Sequence, residues 1–312
     1  MEFAMSCIVT LTLNPAMDVS TAVARLEPTR KLRCGPPRYE PGGGGINVAR
    51  VIRALGGESV AVYPAGGPFG EMLQHALEAL GLPQVRVPIA GDTRESFTVD
   101  EGETGLQYRF VLPGPTLTPT ERRNCLETIA ALVPAPSHLV VSGSFPSGVA
   151  LDFHDEILDL ARRLGARLVL DYSGEALRHA VARGGIYLLK PSLSELSSLA
   201  GRRLDDEAGQ EEEARRLVER GAVEIVVLSL GAGGALLASR EGIERFSAFD
   251  VPLRSAVGAG DSVVGATVLA LSRGWSLHDA VRYGMAAAAA TLMRPGTGLC
   301  RAEDVERLYR EG

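Results

Sequence analysis

The sequence predicts an α/β protein, with a central, mostly parallel sheet flanked by helices and a small antiparallel β lid. Three observations carry that expectation. From about residue 137 onward, short near-continuous apolar runs alternate with amphipathic stretches, as in a parallel sheet covered on both faces. Two separated segments, about 17–40 and 93–112, alternate apolar and polar residues, as strands with one wet face do. The 312 residues are 46% hydrophobic and 22% charged, which is globular composition with ample material for a buried core. No repeat, low-complexity tract or long linker divides the chain, so 1–312 reads as a single domain with the lid as its only appendage.

Residues 7–13 (CIVTLTL) read as a buried first strand, ended by Asn14-Pro15. Stretches 20–26 and 31–40 read as lid strands, followed by the four-glycine run 42–45. Val48, Val51, Ile52 and Leu55 recur at helical spacing, and Gly56-Gly57 stops that helix. A short strand at 60–64 precedes a helix at 70–80 that ends at Gly81. Segment 93–112 alternates around a turn at 100–105 and reads as a hairpin. Strands then follow at 138–143, 166–171, 186–190 and 224–231, with helices near 151–164, 174–182, 192–200 and 207–220. After a hairpin-like stretch at 234–253, two helices close the chain near 260–273 and 277–293. The second opens on Ser276 and Asp279 at capping-box spacing.

Composition excludes several function classes. A net charge of −6 with 5% aromatic residues argues against nucleic acid, anionic membranes and base-stacking platforms. Four scattered cysteines with no CxxC pair are neither a zinc framework nor a disulfide scaffold, and read as buried reduced thiols. The first basic residue is Arg25, so no signal peptide is expected. The most apolar run, 285–293, is far short of the roughly 20 residues a membrane span needs. A soluble, cytoplasmic protein is the expectation.

The sharpest local signal is Val257-Gly258-Ala259-Gly260-Asp261-Ser262 before a helix of small residues. Glycines there let backbone N–H groups converge on an anion. Asp261 is either a plain helix cap or a base taking a proton from a hydroxyl beside the anion site. Pro41-Gly42-Gly43-Gly44-Gly45-Ile46-Asn47 has neither the dinucleotide GxGxxG spacing nor a Walker Gly-Lys-Ser/Thr. It is a flexible joint, or a joint whose backbone approaches a polar ligand with Asn47 reaching it. Two strands end in Ser229-Leu230-Gly231-Ala232-Gly233-Gly234 and Lys190-Pro191-Ser192-Leu193-Ser194-Glu195, at sheet ends where open α/β folds bind ligands. A glycine turn and a helix cap explain both without function.

Taken together and in order, GGGGIN, KPSLSE, SLGAGG and VGAGD resemble the signature set of the ribokinase-like sugar kinases, in the phosphofructokinase B branch. The resemblance spans about 7–309. The glycine run, Lys31-Leu32-Arg33-Cys34, residues 108–114 and Gly143-Ser144-Phe145-Pro146 are most similar to the minor bacterial type of 6-phosphofructokinase. Related 1-phosphofructokinases and tagatose-6-phosphate kinases usually carry Lys in the place of Gly44. The resemblance therefore implies a ribokinase-like kinase domain that phosphorylates the 1-hydroxyl of fructose 6-phosphate with ATP. The nearest rivals are 1-phosphofructokinase and tagatose-6-phosphate kinase.

The resemblance also implies roles. Asp261 is the base, and Gly258, Ala259 and Gly260 form the anion hole for the transferring phosphoryl group. Asp18, Gly43, Gly44 and Asn47 hold sugar hydroxyls. Lys31, Arg33, Arg94 and Arg109 are the candidates for the sugar phosphate, with Lys31 and Arg94 favoured and Arg33 last. Ser144 belongs to the same substrate set. ATP lies near Lys190, Ser192, Ser229 and Gly231. Mg2+ bridges its phosphates, with Glu195 acting directly or through water. The family normally has Asn where this chain has Ser192, which keeps a hydroxyl and loses an amide's reach. A monovalent cation near Ser255–Val257 and a homodimer through the lid are further implications.

Other residues read as structural. His154, Asp155 and Glu156 are adjacent on a helix, share no face and suggest a solvated surface. Gln210–Glu213 read as a charged helix face and Trp275 as a packing residue. A nucleoside kinase would need no basic lid. A nicotinamide-dependent oxidoreductase lacks its fingerprint. A catalytically silent nucleotide- or sugar-phosphate-binding regulator is kept open by Ser192 and opposed by Asp261 with its glycines.

Overall fold

The computed structural model describes residues 7–146, 148–149 and 151–311. Residues 1–6, on which the reading of a leaderless N-terminus partly rests, lie outside them. The large sheet has the order β13 (Gly242–Phe246), β12 (Ala235–Ser239), β11 (Val223–Ser229), β10 (Ile186–Leu189), β9 (Arg167–Asp171), β8 (His138–Ser142), β1 (Ile8–Leu11), β4 (Ser59–Ala65), β5 (Gln84–Pro88). From β5 to β11 every pairing is parallel. The hairpin β12–β13 adds an antiparallel edge.

Strand alternation divides the core into two layers. Val9, Leu139 and Leu168 face α3 (Pro119–Ala130), α4 (Asp152–Leu164), α5 (Gly174–Arg183), α6 (Leu193–Ala200) and α7 (Glu207–Glu219). Ile8, Val140 and Val169 face α1 (Gly44–Ala54), α8 (Ala259–Ser272), α9 (Leu277–Leu292) and α10 (Ala302–Glu311). That two-sided burial is why these strands are apolar throughout. A third cluster joins α1 and α2 (Gly67–Ala79) to the base of the lid. None of the described helices is long and apolar enough to cross a membrane.

The lid sheet is β3 (Arg38–Gly42), β2 (Ala16–Val23), β6 (Arg94–Glu101), β7 (Gln107–Val111) in that order. Its two outer pairings are antiparallel, and the central β2–β6 pair is parallel because its strands come from separated segments. The expected strand at 31–40 survives only from Arg38. Residues 31–37 carry Pro36-Pro37, which remove ladder donors, and run as an exposed loop.

Several expectations are corrected. The helix expected at 47 begins at Gly44, inside the glycine run. A Cβ on Gly44 would lie 2.2 Å from Ser142 Oγ, and one on Gly45 2.6 Å from Thr12 Oγ1, so only glycine lets this helix start so close to β8 and β1. Three helices close the chain rather than two, because α10 follows α9. β5 and α3 were not read at all, although Thr118, Pro119 and Glu121 form a capping box with proline at the helix start. His154 is no solvated residue. It is 1% exposed, hydrogen-bonded through Nδ1 to the Tyr172 hydroxyl, and burial pushes its pKa down to about 4. Its neighbour Asp155 pairs with His179 and Arg183. Gln210 and Glu213 are buried, so only Glu211 and Glu212 of that run reach the surface. Cys34 is exposed and Cys7 partly so, whereas Cys125 and Cys300 are buried. Trp275 packs as expected, in a cluster with Tyr283 and Tyr309.

Candidate active site

The site sits at the C-terminal ends of the parallel strands, where the chain path diverges on either side of β1 and β8. Two cavities meet there. One, of about 220 Å³, lies under the lid and is lined by Asp18, Gly43, Gly44, Asn47, Arg94, Arg109, Gly258 and Asp261. The other, of about 270 Å³, is lined by Ser229, Gly231, Ala259 and Gly260 with a predominantly apolar wall that includes Phe249, Val263 and Met285. The first turn of α8 is the partition between them. Val257, Gly258 and Asp261 face the lid cavity; Ala256, Ala259 and Gly260 face the apolar one.

That turn is shaped to receive an anion. Gly258 is the N-cap with φ 77° and offers no side chain. A Cβ there would also come within 2.5 Å of Leu299. Ala259 N–H turns back to the Ala256 carbonyl at 3.4 Å. The N–H groups of Gly260 and Asp261 have no partner among the described residues, so they remain open at the positive end of a 14-residue helix.

Asp261 is therefore not the helix cap. Its carboxylate reaches across the fold: Asn47 Nδ2 donates to Oδ2 at 2.9 Å and Ser142 Oγ donates to Oδ1 at 3.2 Å. Burial, aided by the Asp171 carboxylate, raises its pKa to about 7, against the pull of Asn47, Lys190 and Ser142. A carboxylate titrating near neutrality is suited to accept a proton. Behind it Lys190 Nζ pairs with Asp171 Oδ1 at 3.0 Å. Burial opposes the Lys190 charge, but Asp171 outweighs it and keeps the ammonium protonated. A Cβ on Gly260 would lie 3.3 Å from this nitrogen, which puts the cation beneath the α8 N-terminus.

In the lid cavity, burial raises Asp18 to about 6, although Arg94, Arg109 and Arg50 pull it down. Its carboxylate has no hydrogen-bond partner among the described residues and stays available. Arg94 is already engaged, donating to Ser96 Oγ, the Leu112 carbonyl and the Asn14 carbonyl at 3.1, 3.1 and 3.2 Å. The Arg109 side chain is exposed and makes no hydrogen bond or ion pair with the described residues.

Not every expected site residue joins the two cavities. Lys31 and Arg33 lie in the exposed loop before β3 and line neither. Ser144 accepts from Asn14 Nδ2 at 3.0 Å beside the lid cavity, without lining it. Ser192 and Glu195 form a capping box on α6, with Ser192 N–H on Glu195 Oε2 at 2.7 Å. No cluster of three or more metal-ligating side chains occurs among the described residues. A Mg2+ ion held mainly by substrate phosphates and water takes only one or two carboxylates from a protein, and Glu195 stands at the start of α6 beside Ser192.

Sequence reasoning missed Ser142, Arg50, Asp171 and Thr297. Asp171 had a visible signal, a carboxylate closing the apolar run ARLVLD. Ser142 and Thr297 had none, because an isolated hydroxyl acquires meaning only from what the fold places opposite.

The family described as pfkB family carbohydrate kinase matches residues 6–304. The chain is 49% identical over 302 residues to the ATP-dependent 6-phosphofructokinase isozyme 2 of Mycobacterium tuberculosis, covering 97% of this chain and 88% of that protein. It is 41% identical to the Escherichia coli protein of the same name, covering 97% of each. A 1-phosphofructokinase of Haloferax volcanii shares 35% over 299 residues, 96% of this chain and 95% of that one. Solved structures of phosphofructokinase-2 from Escherichia coli superpose closely. The complex with fructose-6-phosphate gives a TM-score of 0.93 at 40% identity over 98% and 99% of the two chains. The complex with potassium gives 0.94 at 41% over the same shares. A ribokinase from Arabidopsis thaliana, 18% identical over 98% and 99%, shares the fold with a TM-score of 0.77.

Proposed function

This chain belongs to the pfkB family of carbohydrate kinases, and on that premise we propose that it transfers the γ-phosphoryl group of ATP to the 1-hydroxyl of fructose 6-phosphate, giving fructose 1,6-bisphosphate and ADP. One observation carries the reading: the α8 N-terminus, with its open amides and Asp261, is the shared wall of the two cavities. A phosphoryl group passing from one to the other must cross it.

The adenine ring takes the apolar cavity, and its phosphates run past Ser229, Gly231 and Ser192 toward Lys190. The sugar takes the lid cavity, with hydroxyls on Asp18, Asn47 and the Gly43–Gly44 backbone. Arg94 and Arg109 face its phosphate, Lys31 and Arg33 screen it from the lid loop, and Ser144 flanks it. Asp261 accepts the proton of the 1-hydroxyl as its oxygen bonds to the γ-phosphorus. The bond to the bridging oxygen breaks and ADP leaves. Charge on the phosphoryl oxygens falls on the Gly258–Gly260 turn and the helix terminus, where one anion-hole donor is worth on the order of 3 kcal/mol. Glu195, directly or through water, would help hold a Mg2+ ion, which would supply neutralisation of phosphate charge. A monovalent cation at the Ser255–Val257 loop belongs to the same proposal. So do a single kinase domain over 1–312, a cytoplasmic location and a homodimer through the lid.

The relatives named 1-phosphofructokinase keep that substrate as a second reading. Gly44 argues for the first, since 1-phosphofructokinases similar to this chain usually carry Lys in its place. The deciding experiment is a coupled ADP-release assay with Mg-ATP against fructose 6-phosphate, fructose 1-phosphate and tagatose 6-phosphate, with Asp261→Ala as control. Turnover on fructose 6-phosphate that collapses in the variant is expected. Preference for another phosphosugar replaces the substrate. No turnover on any, with ATP still bound, leaves the silent-regulator reading.

A further inference from the structure

The donor end of Asn47 faces Asp261, yet an amide has two chemically opposite ends. Nδ2 toward a carboxylate stabilises its charge; Oδ1 in that place would repel it. Nothing in Asn47 itself selects the donor end. Arg50 does, three residues further along α1 on the same face. Its Nη1 donates to Asn47 Oδ1 at 3.2 Å and to the Pro41 carbonyl at 2.8 Å. Its Nη2 reaches Glu40 Oε1 at 3.5 Å, and the second Glu40 oxygen accepts from Thr297 Oγ1. The Arg50 side chain is only 13% exposed. A buried cation persists where partners satisfy it, and all of these partners are spent on orientation rather than on solvent. The chain Thr297–Glu40–Arg50–Asn47–Asp261 starts in the loop after α9, passes through lid strand β3 and ends on the carboxylate.

We propose that Arg50 is a positioning residue for the phosphoryl transfer, locking the Asn47 amide with its NH2 on Asp261 and tying that lock to the lid through Glu40 and the Pro41 carbonyl. The inference rests on the reading of Asp261 as the base. Asp261 is faced by Asn47 and Arg50 from α1, Ser142 from β8, Asp171 from β9 and Lys190 after β10, with Asp18, Glu40, Arg94 and Arg109 across the lid. Replacing Arg50 leaves the Asp171–Lys190 pair in place, removes the constraint on the Asn47 donor, and takes away a smaller direct attraction between the guanidinium and Asp261. The base then holds its proton to higher pH.

The test is the pH profile of kcat with saturating Mg-ATP and fructose 6-phosphate, together with 13C NMR titration of the Asp261 carboxyl in the substrate-free protein. Arg50→Met is expected to move the acidic limb and the carboxyl titration up by about one pH unit, a tenfold loss of turnover well below the limb that recovers at high pH. Arg50→Lys, which keeps a donor and a charge, should recover part of the shift. In an Asn47→Ala background Arg50→Met should add only a small further shift, from the lost charge, because most of its effect runs through that amide. An unmoved limb in Arg50→Met overturns the proposal. So does an equal shift in the Asn47→Ala background, which would make Arg50 an independent charge. Should Arg50→Met not fold, Glu40→Gln and Arg50→Lys must each move the limb upward by a smaller amount, and unmoved limbs in both refute it. Asp261→Asn separates the two levels. If it still turns over with the normal acidic limb, the base assignment fails instead.

Discussion

Asp261 occupies a place where a carboxylate is costly. Its pKa rises from 3.8 to about 7, chiefly through burial. The folded protein therefore binds this proton more tightly than the unfolded chain does. The stability linked to it is fully present below pH 3.8 and is lost as pH rises toward about 7. Above that, the fold carries a charged group it would be more stable without. Water in the open cavity screens part of the effect, leaving a cost on the order of 2–4 kcal/mol. Asp261→Asn should accordingly melt a few degrees above the wild type at pH 8, while losing turnover. The difference should shrink as pH falls through 7 and vanish near 4. Calorimetry across that range checks it, and equal melting at every pH would mean the carboxylate is not strained. Such a trade of stability for activity marks a functional position.

At the scale of elements, α6 shows how one cap can serve two purposes. Ser192 Oγ accepts from Glu195 N–H at 3.3 Å, and Glu195 Oε2 accepts from Ser192 N–H at 2.7 Å. The same box that starts the helix holds the carboxylate proposed to meet Mg2+. Ser192→Ala should cost about 1 kcal/mol of stability and raise the Mg2+ concentration for half-maximal rate, whereas Ser192→Asn, itself a good cap, should restore both. Thermal melting and Mg2+ titration of the rate are the readouts; an unchanged Mg2+ requirement in Ser192→Ala would separate the cap from the metal. The parallel strands and most helices were legible because burial on both faces writes itself as apolar runs and helical periods. The helix start at Gly44 was not, since close approach to Ser142 leaves no trace beyond a glycine. His154 was misread because its burial depends on Tyr172, 18 positions away in the chain. Motif spacing pointed to Asp261 and the α8 turn. What held Asp261 in place was invisible, because Ser142 and Asn47 lie 119 and 214 positions from it.

At the scale of the molecule the lid has two unlike faces. Asp18, Ser96, Thr98 and Arg109 line the cavity. Between them, in register across all four strands, run Tyr39, Val19, Phe97 and Phe110. Alternation along a strand turns Tyr39, Val19 and Phe110 to the opposite side, whereas Phe97 also touches the cavity. Tyr39 and Phe110 are 51% and 52% exposed at its two ends. Two exposed aromatic rings at the ends of a four-stranded sheet invite a cover, and a second lid is the occupant proposed above. Two such faces meeting would support β6 and β7, which carry Arg94 and Arg109, and so couple assembly to sugar binding. Phe110→Asp tests this from the side away from the cavity. Sedimentation should give a dimer for the wild type and a monomer for the variant. The variant's half-saturating concentration of fructose 6-phosphate should rise several-fold while kcat at saturation holds. A wild-type monomer at micromolar concentration, or a Phe110→Asp dimer, would remove the lid from the interface and leave its apolar row to be explained by another contact.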